Sequence, residues 1–303
     1  MAALVAAITI SMTGAVVNAA HATVELGAAD SFAILAGSTI TDATPSDVTG
    51  DVGLSPASGS FTNITCAEVD GTIYSVDAAG PLPCRVTNAG LLTTAKNNLT
   101  TAYNDAAGRS ATGDPGTELG GDVLTDGTYE TGSGTFEIAA GQTLTLDGQG
   151  NEDAVFIFNM ASTLVTFASS NVELINGAQA CNVFWRVGSS ATLGTGTNFA
   201  GTIMADQSIT DNGGSTVEGR LLARIAAVNL NDTTLVRSDC NEATPDDDSE
   251  GEAGDGGETT PGLPNAGIKP GQNNTPWGII VSIAAGITLL SLYLVRRSQF
   301  SSL

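Results

Sequence analysis

Two segments of this chain share one residue pattern and begin 18 residues apart, at positions 198 and 216. Asn198–Ala205 reads NFAGTIMA and Thr216–Ala223 reads TVEGRLLA, and looser copies end in Val155–Phe158 and Val183–Val187. Short alternating segments separated by Gly, Asn and Asp indicate strands and turns. A period of this length predicts one turn of a three-sided β-solenoid with about six residues a side, in which stacked coils share one core.

One stretch has helical rather than strand periodicity. Between Arg85 and Arg109 the apolar residues recur every three or four positions, which predicts an amphipathic helix over residues 85–108. The helix needs an apolar surface to cover, so we expect it to pack beside the solenoid. The predicted fold is mainly β: a three-sided, right-handed β-solenoid with one long α-helix alongside and a transmembrane helix near the C-terminus.

The N-terminal end differs from the body, which we assign to residues 23–240. Residues 1–22 are largely apolar and end in Ala20-His21-Ala22, the small-x-small pattern that precedes signal-peptidase cleavage. The sequence therefore predicts export and the removal of His21 with the signal peptide.

The C-terminal end reads as an anchor. Residues 241–276 form an acidic linker with no large apolar residue in its first part, which predicts disorder. Residues 277–295 carry no charge and are long enough to span a bilayer, and Arg296-Arg297 marks residues 296–303 as a cytoplasmic tail. We expect the body outside the cell, held at its surface through the membrane.

A short motif leaves a second mode of attachment open. Residues 263–267 read LPNAG, which resembles a sortase cell-wall sorting signal, although Ala266 stands where the usual signal has Thr. A plain membrane anchor and covalent attachment to the cell wall both explain the segment.

The charge and the histidine count exclude several functions. The formal net charge is −22, so the surface repels phosphate backbones and no nucleic-acid partner is expected. Because His21, the only histidine, is expected to be removed with the signal peptide, no Ser/His/Asp or Cys/His set and no Cys/His metal site can form in the mature chain. Acids such as Glu152 and Asp153 do not recur on one side of the repeats, as paired catalytic carboxylates would need. We expect neither an enzyme nor a cofactor.

The four cysteines predict two disulfides in an exported protein. Three pairings exist. We favour Cys66–Cys84, which closes a short loop, and Cys181–Cys240, which pins the end of the domain; four free thiols are the alternative.

One side of the predicted solenoid lacks charge. Leu144, Leu164, Leu193, Ile209 and Val228 take similar inward positions, so their neighbours point outward. Those neighbours are Thr143, Thr145, Thr163, Val165, Thr192, Gly194, Ser208, Thr210, Ala227 and Asn229. An exposed strand surface without charges predicts a binding surface, and the strand propensity of Thr is the alternative explanation. A second side, around Val172, Phe199 and Val217, includes acids and is typical of a solvated face.

Several segments together carry a family resemblance. They are Leu26–Ala36, Val48–Pro56, Asp153–Phe158, Val183–Ala191 and Gly219–Ala223. The body, over roughly Leu26–Val236, resembles the microbial ice-binding proteins, which have a discontinuous β-solenoid and a flanking α-helix. The resemblance implies that one flat face adsorbs to ice. It also implies an ice-face motif, Thr-Ala/Gly-x-Thr/Asn, which Thr195-Gly196-Thr197-Asn198 matches once.

The sequence therefore predicts a monomeric ice-binding protein displayed at the cell surface. The predicted ice-binding residues are Thr143, Thr145, Thr163, Thr192, Gly194, Thr195, Thr197, Asn198, Ser208, Thr210 and Asn229. The alternative is an adhesin that binds carbohydrate or protein on the same scaffold. Trp185, the aromatic residue that a sugar site could use, is expected in the core instead.

Overall fold

The computed structural model describes residues 21–240, which form a β-solenoid whose strand pairs are all parallel. The strands stack in three series, one for each side. The predicted signal peptide (apart from His21 and Ala22), linker, transmembrane helix and tail lie outside the described residues. Within residues 21–240, no helix combines the length and the apolar character that a bilayer span requires.

The helix face is the side that a long α-helix covers. Its strands, in spatial order, are β10 (Gly127–Glu130), β13 (Phe156–Met160), β16 (Val183–Val187), the second halves of β18 (Asn198–Ala205) and β20 (Thr216–Ala223), β1 (Phe32–Ala36), β4 (Asp51–Leu54), β7 (Ile73–Ser75) and β8 (Arg85–Thr87).

The front face is a separate seven-stranded sheet. Its order is β11 (Phe136–Ile138), β14 (Leu164–Thr166), β17 (Ala191–Leu193), β19 (Ile209–Asp211), β21 (Val228–Leu230), β2 (Ile40–Asp42) and β5 (Phe61–Thr62).

The acidic face completes the three sides. It contains β9 (Val123–Leu124), β12 (Thr143–Asp147), β15 (Asn171–Ile175), the first halves of β18 and β20, β22 (Thr234–Val236), β3 (Asp47–Thr49) and β6 (Val69–Asp70).

The predicted 18-residue repeat is confirmed by strand register. Strands β18 and β20 pair along their whole length, from Asn198 opposite Thr216 to Ala205 opposite Ala223. Both strands bend from the acidic face onto the helix face at a glycine. Gly201 and Gly219 have φ values of 113° and 153°, and a Cβ on Gly219 would lie 2.0 Å from the carbonyl oxygen of Gly201. Only glycine fits this corner.

The coils do not stack in chain order. The coil that contains β1, β2 and β3 sits directly after the coil that contains β20, β21 and β22, so the C-terminal coil of the body packs against the N-terminal one. Chain segments far apart in the sequence therefore lie side by side on every face.

Two apolar clusters stabilise the body. One fills the solenoid interior, where Phe158 stacks on Trp185 with ring centroids 4.0 Å apart and Trp185 is fully buried. The other lies between the helix face and the helix, where Leu92, Leu99 and Tyr103 are buried. The core position predicted for Trp185 is confirmed.

Helix α1 spans Ala89–Gly108, four residues shorter at its start than predicted. Asn88 caps it, because its side-chain oxygen accepts a hydrogen bond from the Leu91 amide at 3.0 Å. Residues Arg85–Thr87 instead pair with β7 as strand β8. The pairing of β8 and the Asn88 cap determine where the helix begins. The apolar spacing carries no information about either of them.

Both predicted disulfides are confirmed. Cys66 is bonded to Cys84 and Cys181 to Cys240. Because Cys240 follows β22, the second bond fixes the end of the described chain at the corner between the acidic face and the helix face.

Candidate functional site

The three faces differ in what covers them and in their charge. Helix α1 covers the helix face. The acidic face presents Asp47, Asp70, Glu173 and Glu218, all exposed. The front face has no element packed over it among the described residues, and its strands point a single charged side chain, Glu137, outward, which makes it the candidate site.

Strand register aligns the outward side chains of the front face into columns. The central column runs in spatial order through Glu137, Val165, Thr192, Thr210, Asn229, Thr41 and Thr62. The residues one position before the strands form a second column, joined by backbone hydrogen bonds from coil to coil: Thr135, Thr163, Ser190, Ser208, Ala227, Thr39 and Ser60.

Glu137 is the one charged residue in these two columns, and it lies on the outermost strand. Neighbouring strands are about 4.8 Å apart, so seven strands make a surface about 29 Å long. The result is a long array of hydroxyl, amide and methyl groups with a regular repeat.

Contacts below and across the face hold these side chains in place. The residues beside the central column, including Ile40, Leu164, Ile209 and Val228, are fully buried. Across the face, Thr135 Oγ1 lies 3.2 Å from Thr163 Oγ1. The Asn229 amide nitrogen donates to Thr210 Oγ1 at 3.3 Å. The array is therefore restrained before anything binds to it.

The structure brings five of the predicted site residues together on the front face. Thr192, Thr210 and Asn229 lie in the central column, and Thr163 and Ser208 lie in the second column. Their role in binding stays a prediction.

The assignment of Thr143 and Thr145 to this side is wrong. They belong to β12, which pairs with β15, so they lie on the acidic face, with Thr145 opposite Glu173. The Thr-Leu-Thr alternation around Leu144 is the same on either face. Pairing of β12 decides its side, and the sequence pattern does not contain that information.

The motif Thr195–Asn198 lies at the corner between the front and acidic faces. Thr195 is exposed, but Thr197 is fully buried and its hydroxyl lies 3.1 Å from Thr166 Oγ1. Asn198 begins the acidic face, opposite Asn171. The four residues therefore do not form one outward surface.

Gly194 is also enclosed. A Cβ there would lie 2.4 Å from the carbonyl carbon of Phe167. The sequence equated Leu193 with Leu164 and Ile209, but their partner in register is Ala191. The two-residue shift keeps Thr192 outward and moves Gly194 to the edge.

Sequence reasoning missed the part of the face that comes from the N-terminal coils: Thr39, Thr41, Ser60 and Thr62. A signal was present. Ile40-Thr41-Asp42 repeats Ile209-Thr210-Asp211, and a serine follows each aspartate four residues later, at Ser46 and Ser215. Because these two segments lie far apart in the sequence, a comparison of adjacent repeats does not pair them.

Other parts of the body offer weaker sites. No group of potential metal ligands comes together within residues 21–240. A cleft of about 610 Å³ lies near the Cys181–Cys240 bond and is lined partly by Asp30 and Arg220. The Arg220 guanidinium already donates to the backbone oxygen and to Oδ1 of Asp30, at 2.9 and 2.8 Å. This arginine is thus committed to the fold.

Comparisons with known proteins agree with this geometry. The chain is 41% identical over 225 residues to an ice-binding protein of Colwellia sp., covering 73% of this chain and 87% of that protein. It is 39% identical over 217 residues to an ice-binding protein of Flavobacterium frigoris (strain PS1), covering 70% and 76%.

Solved structures of ice-binding proteins also match this chain. The crystal structure of an ice-binding protein from an Antarctic biological consortium matches with a TM-score of 0.65 at 35% identity, over 76% of this chain and 96% of that one. A domain of ice-binding protein 1 from Shewanella frigidimarina matches with a TM-score of 0.64 at 30% identity, over 73% and 99%. The profile of the family described as Ice-binding-like matches residues 34–236. The chain belongs to the Ice-binding-like family.

Proposed function

We propose that this protein binds ice through the front face. The observation that carries the proposal is the pair of columns through Thr192, Thr210 and Thr41, in which Glu137 on the outermost strand is the one charged residue and over which no element of residues 21–240 packs. The named relatives and solved neighbours are ice-binding proteins.

The physical mechanism follows from the surface of ice, which offers no net charge to pair with. Strongly hydrated side chains would oppose docking, whereas hydroxyls and methyls at a fixed spacing can hold water in an ordered layer. Because the array is restrained before binding, little conformational entropy is lost. Many weak contacts then act together, as in multivalent binding.

Binding, rather than catalysis, is the proposed activity. The two outward columns of the front face contain a single titratable residue, Glu137, so no acid and base pair faces outward there. A surface adhesin for carbohydrate or protein remains the alternative, but the fully buried Trp185 provides no aromatic platform for a sugar.

The proposal includes display at the cell surface through the sequence that follows Cys240, with attachment by a membrane helix or through LPNAG. The geometry of the described body supports this arrangement. Cys240, the last described residue, lies at the corner opposite the front face, so the proposed tether begins away from that face. The proposal also includes right-handed coiling of the solenoid.

Ice-affinity partition of the purified chain tests the binding. We expect the chain to enter a slowly growing ice phase in excess of an albumin control, and Asn229→Asp to enter less. If the growing ice phase excluded the unmodified chain as it excludes albumin, the proposal would be contradicted. Display is a separate question, which labelling of intact cells with an antibody to the body answers.

A further inference from the structure

A chain of buried polar side chains runs behind the edge of the front face, where the coils turn toward the acidic face. It contains two carboxylates, Asp42 and Asp211, which are 1% and 3% exposed. Neither forms an ion pair with a basic residue of the described body. Burying a charge without an opposite charge is costly unless hydrogen bonds satisfy it.

Hydroxyl and backbone groups supply those hydrogen bonds. Asp211 Oδ1 accepts from Ser215 Oγ at 2.6 Å and from the Gly213 amide at 3.0 Å, and its Oδ2 accepts from Thr233 Oγ1 at 2.6 Å. The Thr233 amide donates to Ser46 Oγ at 3.0 Å, and Ser46 Oγ donates to Asp42 Oδ1 at 2.9 Å. The chain is continuous from Ser215 to Asp42.

Each carboxylate directly follows a residue of the central column. Asp211 follows Thr210 and Asp42 follows Thr41, while Thr233 lies beyond the end of β21, which carries Asn229. The polar chain thus joins three neighbouring strands of the front face at one edge. It also joins the N-terminal coil to the C-terminal coils, where no covalent connection keeps the strands in register.

Burial raises the pKa of the Asp42 carboxyl, although two hydrogen bonds from Ser46 oppose the rise. An apolar pair at this corner would avoid that cost and would still fill the space. The carboxylates instead fix the relative positions of the coils, because each carboxylate oxygen accepts hydrogen bonds from donors on particular coils.

We propose that Asp211 and Asp42, linked through Thr233 and Ser46, are positioning residues that hold Thr210, Asn229 and Thr41 in one plane for ice. This inference rests on the proposed function and concerns the same face. On this account, buried hydrogen bonds as well as core packing keep the face flat where the N-terminal coil meets the C-terminal coils.

The test replaces Thr233, whose side chain has nearly the shape of valine. In Thr233→Val the hydroxyl no longer donates to Asp211 Oδ2 or accepts from the Asn231 amide, and in Thr233→Ser both hydrogen bonds are kept. Thr202→Val is the matched control, because Thr202 is also fully buried but its hydroxyl has no partner in the described body. Ser46→Ala breaks the same chain at a second point and serves if Thr233→Val does not fold.

Thermal hysteresis is measured close to 0 °C, where variants that fold are fully folded, and melting temperature is measured beside it. We expect Thr233→Val or Ser46→Ala to lose hysteresis several-fold, and Thr233→Ser and Thr202→Val to retain it. A purely stabilising role would lower the melting temperature and leave hysteresis unchanged, and that result would overturn the inference. So would an equal loss in Thr202→Val.

Amide hydrogen exchange at Ile40–Asp42 separates this inference from the proposed function. Faster exchange in Thr233→Val than in Thr202→Val supports the positioning role, even if the unmodified chain shows no hysteresis; that combination contradicts the proposed function alone. Unchanged exchange overturns the positioning role whatever the hysteresis.

Discussion

Thr41 and Asn229 lie directly opposite each other on neighbouring strands of the front face, although one belongs to the N-terminal coil and the other to the last coil of the body. The face that we assign to ice is therefore assembled from both ends of the solenoid. Both residues carry short uncharged side chains and continue the column of Thr192 and Thr210.

This relationship predicts that Thr41→Tyr weakens ice binding. The ring would stand above the plane of the column and keep its neighbours from contact. We expect a several-fold loss of thermal hysteresis and a change in unfolding free energy within about 0.5 kcal/mol, as for other surface substitutions. Thr49→Tyr, exposed on the acidic face of the same coil, is the control. Full activity in Thr41→Tyr would place the N-terminal coil outside the contact surface.

A charge without added bulk tests the electrostatic part of the mechanism. Asn229→Asp keeps the shape of the side chain and adds a strongly hydrated carboxylate to the central column. We expect a clear loss of ice recrystallisation inhibition at neutral pH. Asn198→Asp makes the same exchange on the acidic face and should have no effect. Equal activity of the two variants would show that charge on the front face is irrelevant.

Burial of Lys96 on helix α1 predicts that the free energy of unfolding depends on pH. Its ammonium donates to the carbonyl oxygens of Ala223 and Arg224 at 2.8 and 2.6 Å, and burial lowers its pKa from 10.5 to about 8. The folded chain therefore binds fewer protons than the unfolded chain between these values, so stability rises as pH increases from about 8 toward 10.

Denaturant unfolding at pH 8, 9 and 10 measures this effect. The gain in unfolding free energy should not exceed about 3 kcal/mol, at 1.36 kcal/mol for each unit of pKa shift. Lys96→Met removes the ionisable group and should flatten the profile. A flat profile in the unmodified chain, or the same slope in Lys96→Met, would contradict the assignment.

The two disulfides should differ in what they contribute. Cys181–Cys240 closes 59 residues and Cys66–Cys84 closes 18. If the bonds act mainly on the unfolded chain, replacing a cysteine pair by serines costs about 2–4 kcal/mol, and more for the longer loop. Calorimetry of the two double variants makes this comparison. Neither pair lies on the front face, so ice binding near 0 °C should survive in both.

Much of the fold follows from the sequence because neighbouring coils repeat. The match of Asn198–Ala205 to Thr216–Ala223 gives their register, and the apolar spacing gives the helix, although it starts it four residues too early. The side on which β12 lies could not be predicted, since Thr143-Leu144-Thr145 fits any face equally well. Its place is set by hydrogen bonds to β15, which are long-range contacts.

The candidate face was predictable in its centre and not at its ends. Thr192, Thr210 and Asn229 follow from alternation around buried apolar residues in consecutive coils. Thr41 and Thr62 do not, because their coils stack beyond the C-terminal one and no local period connects them. The burial of Thr197 depends on hydroxyl partners inside the corner, which spacing alone does not reveal.

The most direct measurement compares two double variants within the same two coils. Thr192 and Thr210 are register partners on the front face, and Asn198 and Thr216 are register partners on the acidic face. Thermal hysteresis of Thr192→Tyr/Thr210→Tyr should fall to a small fraction of the unmodified value, while Asn198→Tyr/Thr216→Tyr should match it. The reverse order, or equal activity in both variants, would contradict the assignment of ice binding to the front face.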